Sequence, residues 1–204
     1  MGASLRHGPL TPSTAHLCID MQNLFAEDTP WQTPWMERVR PVVAELARFC
    51  AHATIFTRFI PPCSPDEVAG TWRCYFERWR ELTRGNIDLE LLELVPELRK
   101  LAPPAVVINK GVYSPFYDGR LVRYLNQRRI DTLVISGAET DVCVLAAILD
   151  AVDHGYRVVI AVDALCSSSD ETHDALMKLY HQRFSEQIEM AETETILNLW
   201  PKHA

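Results

Sequence analysis

The 204-residue chain reads as an α/β protein, a three-layer α/β/α sandwich around a mostly parallel, Rossmann-like sheet. Three observations predict this. Five or six short apolar runs alternate with stretches of helical spacing. Several of these runs are apolar at successive positions rather than at every second one, which suits strands covered on both faces. No fixed-period repeat, low-complexity tract or linker interrupts the alternation, so a single domain over residues 15–204 is expected.

Residues 1–14, with Gly2, Gly8, Pro9 and Pro12, read as a flexible lead-in. His16 to Asp20 (HLCID) is the first strand pattern, and it runs through an acid into Met21, Gln22, Asn23, Leu24 and Phe25. An acid directly after a buried strand either caps the next turn or serves a site. After Trp31 and Pro34, the residues Met36, Val39, Val42, Val43, Leu46 and Phe49 recur at helical spacing and predict a packing helix to about His52. Ala53 to Phe59 is the second strand, and Pro61, Pro62 and Pro65 impose an irregular loop behind it.

That loop leads into Gly70 to Trp79, a segment with Trp72, Arg73, Tyr75, Phe76, Arg78 and Trp79. Aromatic and arginine-rich composition suits a pocket wall or lid and equally an oligomer contact. Ile87 to Leu101 reads as helical or turn-like, interrupted by Pro96 and ended by Pro103 and Pro104. Ala105 to Asn109 is the third strand and delivers Lys110 at its carboxyl end. After the turn Tyr113 to Phe116, a helix is expected over Leu121 to Arg129.

The fourth strand, Thr132 to Ser136, closes on Gly137, and the apolar run Val144 to Val152 predicts a buried helix. Thr140 is placed to cap that helix, which would put Cys143 in its first turn. Free N–H groups and the helix dipole there would make the thiol ionise more readily than free cysteine. A cysteine in an apolar segment is ordinarily a small core residue. The strand-to-helix turn argues otherwise, because open α/β sheets bind ligands beyond the carboxyl ends of their strands. Arg157 to Ala164 is the fifth strand, Ser167 to Ser169 cap a helix over Asp170 to Phe184, and Gln187 to Met190 form a last short strand.

A net charge of −7 disfavours a nucleic-acid surface and points to a small-molecule partner. Neither a signal-peptide pattern nor an apolar run of transmembrane length occurs, so no membrane partner and a cytoplasmic location are expected. The six cysteines are expected to be reduced thiols, and neither a CxxC pair nor a Cys/His zinc pattern is present. GxGxxG and GxSxG are also absent, which argues against dinucleotide binding and a serine nucleophile elbow.

In a parallel sheet the carboxyl ends of neighbouring strands share one edge, so Asp20, Lys110 and Cys143 can meet there. Together they supply a base, a cation and a nucleophile, the set that covalent amide hydrolysis needs. Cys143 would attack a carbonyl carbon and Asp20 would take the thiol proton and return it to the departing amine. Lys110 would hold the carboxylate.

Four motifs carry a resemblance to a known family: Ile19-Asp20-Met21-Gln22-Asn23; Lys110 with Tyr113-Ser114-Pro115-Phe116; Gly137-Ala138-Glu139-Thr140-Asp141-Val142-Cys143-Val144; and Val162-Asp163-Ala164. In this order they resemble the isochorismatase-like cysteine hydrolases, the superfamily of nicotinamidases and N-carbamoylsarcosine amidase. The resemblance implies an amidohydrolase that cleaves a C–N bond of a small amide or ureido compound through a Cys143 thioester, without a cofactor. It also implies Asp20, Lys110 and Cys143 as the triad, a cis peptide at Ala138-Glu139, and an oxyanion hole from the backbone N–H groups of Glu139 and Cys143. The Glu139 side chain is left incidental. Asp163 is read as capping the loop before Ser167, and His173 as a packing or hydrogen-bonding residue.

Metal-using nicotinamidases carry histidines after the second strand, whereas no histidine lies between His52 and His154 here, so no metal is expected. Substrate contacts are expected from Phe25, Arg58, Trp72, Arg73, Tyr75, Trp79, Tyr113 and Phe116, with a planar or carboxylate-bearing amide as substrate. The family also implies a homo-oligomer, dimer or tetramer. Two alternatives stay open: an isochorismatase-type vinyl ether hydrolase that does not require the cysteine route, and a catalytically silent binding or assembly module.

Overall fold

The computed structural model of the chain describes residues 4–201. Six strands form one sheet: β1 Thr14–Ile19, β2 Thr54–Phe59, β3 Val106–Lys110, β4 Thr132–Ala138, β5 Arg157–Cys166 and β6 Ile188–Ala191. Their order is β3-β2-β1-β4-β5-β6 and every pairing is parallel. The helices are α1 Asn23–Ala26, α2 Met36–Phe49, α3 Thr71–Arg78, α4 Pro96–Arg99, α5 Arg120–Gln127, α6 Leu145–Asp153, α7 Asp170–Arg183 and α8 Thr193–Leu199. The chain winds outward from β1 to β3, then returns to β4 on the other side of β1. The order therefore reverses between β1 and β4, where such sheets leave a crevice at the strand ends.

The layers follow from the side chains. Every residue of β1 and β4 is buried, as expected of central strands with helices on both faces. One face packs Cys18, Phe56, Val134 and Val159 against Val39, Val43 and Leu46 of α2 and Ile196 of α8. The opposite face packs Leu17, Ile55, Ile135 and Ile160 against Leu121 and Leu125 of α5, Ile148 of α6 and Tyr180 of α7. Each fully buried aliphatic side chain contributes about 1.5–3 kcal/mol by leaving water. β3, by contrast, exposes Val107 and Asn109, so Lys110 comes from an edge strand whose outer half is solvated.

Two details in the central strands matter later. His16 is fully buried in β1 and shares hydrogen bonds with Thr54 Oγ1 of β2 at 3.2 Å and Ser136 Oγ of β4 at 2.7 Å. Burial holds its imidazole neutral, with the pKa lowered to about 3. Gly137 sits at φ +112°, and a Cβ there would fall 2.1 Å from the carbonyl oxygen of Ile19. Only glycine lets β4 approach β1 this closely.

Several expectations are revised. Residues 5–10 of the expected flexible lead-in are docked: Leu5 and Leu10 are buried, and Leu10 N donates to Leu199 O at 3.0 Å. Arg157 fixes the same segment by donating to Gly8 O at 2.7 Å and Glu189 Oε1 at 2.7 Å. Residues 1–3 of that lead-in lie outside the described residues. Pro96 opens α4 at its first position instead of interrupting a helix, since a missing N–H costs nothing there. The helix α8 follows β6 without having been anticipated. Asp163 caps it: one carboxylate oxygen accepts from Thr193 N and Thr193 Oγ1, both at 2.8 Å. The pairing of β4 with β5 shifts register after Ile135, and Asp163 lies in that irregular stretch of β5. No described helix is long and apolar enough to cross a membrane.

Candidate active site

At the carboxyl ends of β1, β3 and β4 the sheet brings Asp20, Lys110 and Cys143 together. Asp20 follows β1 with φ at 47°, in the left-handed region, and is fully buried. One of its carboxylate oxygens accepts from Thr57 Oγ1 of β2 at 2.6 Å, and the other from Lys110 Nζ at 2.5 Å. The Asp20 N–H in turn donates to Thr57 Oγ1 at 3.1 Å. Lys110 Nζ also donates to Val112 O at 3.2 Å and reaches Cys143 Sγ at 3.4 Å, so all three ammonium protons have partners. It lies 5.2 Å from the ring centroid of Phe59. Burial acts to lower the Lys110 pKa, but the charge of Asp20 and the hydrogen bonds to Asp20 and Cys143 hold the group above its ordinary value.

Cys143 departs from the sequence expectation in two ways. It sits in a π turn, Thr140–Val144, ahead of α6, and not in the first turn of that helix. Its thiol is held above the ordinary cysteine range, not below it: burial raises it, Lys110 pulls it back in part, and Asp20 raises it further. Removal from water therefore outweighs the pull of Lys110, and the resting thiol keeps its proton. Thr140 does not cap α6 either; its hydroxyl donates to Cys166 O at 3.1 Å and meets His173 Nδ1 at 2.9 Å. His173 in turn packs against Trp35, with ring centroids 4.8 Å apart.

The peptide Ala138-Glu139 is cis. The Glu139 side chain is not incidental, because its Oε1 accepts from Thr33 Oγ1 at 3.3 Å and from Ser168 N at 3.0 Å. It thus joins the loops that follow α1, β4 and β5. Gln22 plays a comparable part on the other side. Its buried amide accepts from Phe59 N at 2.7 Å and donates to Phe59 O at 3.0 Å and Leu92 O at 2.9 Å, fixing the Asp20 turn against β2.

A cavity of about 310 Å³ opens onto Cys143, with a wall formed by Phe25, Pro30, Trp31, Gln32, Phe59, Tyr75, Trp79, Tyr113, Glu139, Val142 and Ser168. Trp31 is the hub of its aromatic side, with centroids 6.3 Å from Phe25, 6.0 Å from Phe59, 5.8 Å from Tyr75 and 6.1 Å from Trp79. Of the expected substrate contacts, Phe25, Tyr75, Trp79 and Tyr113 are on this wall.

Arg58, Trp72, Arg73 and Phe116 are not; Arg73 instead donates to Val68 O at 3.3 Å. Arg58 points to the face of β2 opposite Thr57 and Phe59, where it pairs with Glu93 at 2.6 Å and donates to Asn109 Oδ1 at 2.9 Å. Trp72 packs behind the wall, with ring centroids 4.8 Å from Tyr113 and 5.5 Å from Tyr75. Phe116 belongs to the opposite core and stacks on His154 at 5.4 Å. Trp31, Pro30, Gln32, Val142 and Ser168 were not anticipated. A signal for the first three existed in the sequence: the loop downstream of the Asp20 turn carries Trp31 and Trp35 among prolines, a composition suited to a pocket wall. Among the described residues, no three of His, Cys, Asp and Glu are grouped to hold a metal ion.

The chain is similar to several known proteins. The chain is 29% identical over 134 residues to the maleamate amidohydrolase of Pseudomonas putida, a match covering 64% of this chain and 59% of that protein. It is 24% identical over 173 residues to nicotinamidase 3 of Arabidopsis thaliana, covering 84% of this chain and 82% of that one. The crystal structure of a cysteine hydrolase from Pseudomonas syringae pv. phaseolicola superposes with a TM-score of 0.77 at 24% identity, covering 97% of both chains. That likeness bears on the fold alone. The family model described as the isochorismatase domain matches residues 14–192, a span that contains all three strand-end residues, and the chain therefore belongs to the isochorismatase family.

Proposed function

We propose that the protein is a cysteine amidohydrolase that cleaves a C–N bond of a small amide or ureido compound without a cofactor. The observation that carries this reading is the buried contact set of Lys110 Nζ, 2.5 Å from Asp20 and 3.4 Å from Cys143, with Cys143 facing a cavity. Amidohydrolase relatives support it.

The resting site holds a protonated thiol beside an ion pair. As Cys143 Sγ bonds to the substrate carbonyl carbon, its proton passes to Asp20, so thiolate character develops only as the nucleophile is used. Lys110 limits the cost by facing both the carboxylate and the sulfur. The carbonyl oxygen gains negative charge, and the backbone N–H groups of Glu139 and Cys143 are the donors assigned to it. Collapse breaks the C–N bond, the amine leaves with the proton held by Asp20, and a thioester remains. Asp20 then draws a proton from water, which attacks the thioester and returns the thiol and a carboxylic acid. The reading includes a cytoplasmic homo-oligomer, dimer or tetramer, which light scattering checks.

The test is ammonia release from a panel of small amides and ureido acids, with Cys143→Ser alongside and mass spectrometry of the wild-type protein for a covalent adduct. The expected outcome is loss of at least ~1,000-fold in kcat for the variant and an acyl adduct on the peptide containing Cys143. Undiminished release by the variant would overturn the assignment.

A further inference from the structure

The electrostatics of the cavity are one-sided. Among the described residues, its wall contains no lysine, arginine or histidine. Burial raises the Tyr75 and Tyr113 hydroxyls as well as the Cys143 thiol, so these groups are uncharged at neutral pH. Lys110, behind Cys143, is matched by Asp20. Arg58 is paired with Glu93, while Arg78 lies over the Trp79 ring, 5.2 Å from its centroid, and Arg38 over the Trp35 ring, 4.3 Å from its centroid, both outside the wall. The remaining charged group is the Glu139 carboxylate. Its partners are neutral, a Thr33 hydroxyl and a Ser168 N–H, and no cation among the described residues is bonded to it. The rest of the surface is largely aromatic, and aromatic rings favour flat apolar bodies and cations.

We propose that Glu139 is a charge selector: the cavity takes a flat primary amide whose body is neutral or cationic, and rejects one that bears a carboxylate. The identity of the reacting group rests on the amidohydrolase reading; the preference in binding does not. This replaces the carboxylate-bearing substrate that the arginines suggested, because none of those arginines reaches the cavity wall. It also separates this chain from its maleamate-hydrolysing relative, whose named substrate is an anion.

A cavity of about 310 Å³, taken as a sphere, is about 8 Å across. A carboxylate bound anywhere in it lies within about 8 Å of Glu139, and at an effective dielectric of ~20 it is disfavoured about 30-fold.

The experiment uses the full chain carrying Cys143→Ser and follows tryptophan fluorescence, since Trp31 and Trp79 are part of the wall. The probes are three flat amides of similar size: nicotinamide, its cationic N-methylpyridinium analogue, and 3-carbamoylbenzoate. The anion is expected to bind at least ~30-fold more weakly than nicotinamide, with the cation at least as tight as nicotinamide. Adding Glu139→Gln, which keeps an acceptor for Thr33 and Ser168, is expected to narrow the gap between anion and neutral probe to under ~3-fold. Equal binding of anion and neutral probe, an unchanged gap in the Gln variant, or no binding of any probe overturns the proposal. The charge order with Glu139 intact decides the matter even where the Gln variant fails to fold. Ammonia release by the wild-type protein separates the two readings. The charge order without any release sustains the selector and counts against the amidohydrolase; release without the order does the reverse.

Discussion

His16 makes the stability of this fold depend on pH in a way that can be worked out from its surroundings. The imidazole is fully buried between two hydroxyls in the middle of the sheet, and burial lowers its pKa from 6.5 to about 3. Below pH 6.5 the unfolded chain binds a proton at this position and the folded chain does not. The folded state therefore loses stability as pH falls from about 6.5 towards 3, and the loss stops below the folded pKa. Between pH 7 and pH 5 the loss is about 2 kcal/mol, and by pH 3 it reaches about 4 kcal/mol. The first figure is insensitive to the folded pKa, because pH 5 lies well above it.

The assay is urea unfolding of the wild-type protein and of His16→Gln at pH 7 and pH 5. Glutamine can bond to Thr54 and Ser136 but does not titrate. Carboxylates and other histidines contribute to both proteins alike, so the difference of differences isolates His16. The wild type is expected to lose about 2 kcal/mol more than the variant over this interval. Equal losses, within ~0.5 kcal/mol, would refute the reasoning by showing that the buried imidazole does take up a proton in the folded state.

Other perturbations test other parts of the structure. Lys110→Gln leaves Asp20 buried without its cation, and is expected to cost about 3–5 kcal/mol in chemical denaturation as well as nearly all ammonia release. Gly137→Ala forces a Cβ to within 2.1 Å of Ile19 O at a φ of +112°. Differential scanning fluorimetry should show a Tm lower by roughly 6–12 °C, corresponding to about 3 kcal/mol; an unchanged Tm would mean that β4 can move away from β1. Asp163→Ala removes both bonds that cap α8 and should cost about 1 kcal/mol, with faster amide exchange over Thr193–Leu199.

What could be read from the sequence was whatever is encoded locally. Apolar runs such as Leu133 to Ile135 mark buried strands wherever they end up, and the residue after each run is recognisable as a strand end. Asp20, Lys110 and Cys143 could therefore be picked out before any contact between them was known. The hidden parts depend on partners far along the chain. Arg58 could not be withdrawn from the pocket without knowing that Glu93 and Asn109 would engage it. The docking of residues 5–10 depends on Arg157 and Leu199, about 150–190 residues away. Cys143 lies in a turn ahead of α6, not at the helix N-terminus, and its burial, which is set by the whole fold, raises the thiol. Trp31 lies in a loop and carries no period, so the loop composition points only to a pocket wall, and its three-dimensional neighbours are what mark it as the centre of an aromatic one.

The contact set of Lys110 also has a consequence for how the chain acquires its reactivity. Lys110 is 90 residues from Asp20 and 33 from Cys143 in sequence, and it comes from the outermost strand on its side of the sheet. Contacts of such separation bear the loop-closure entropy that local ones avoid. Until β3 has docked on β2, and β2 and β4 have both docked on β1, Cys143 lacks the ammonium and the carboxylate that shape its chemistry. A partly folded chain then exposes an ordinary cysteine. Recovery of activity during refolding reports completion of the sheet, whereas recovery of helical signal does not.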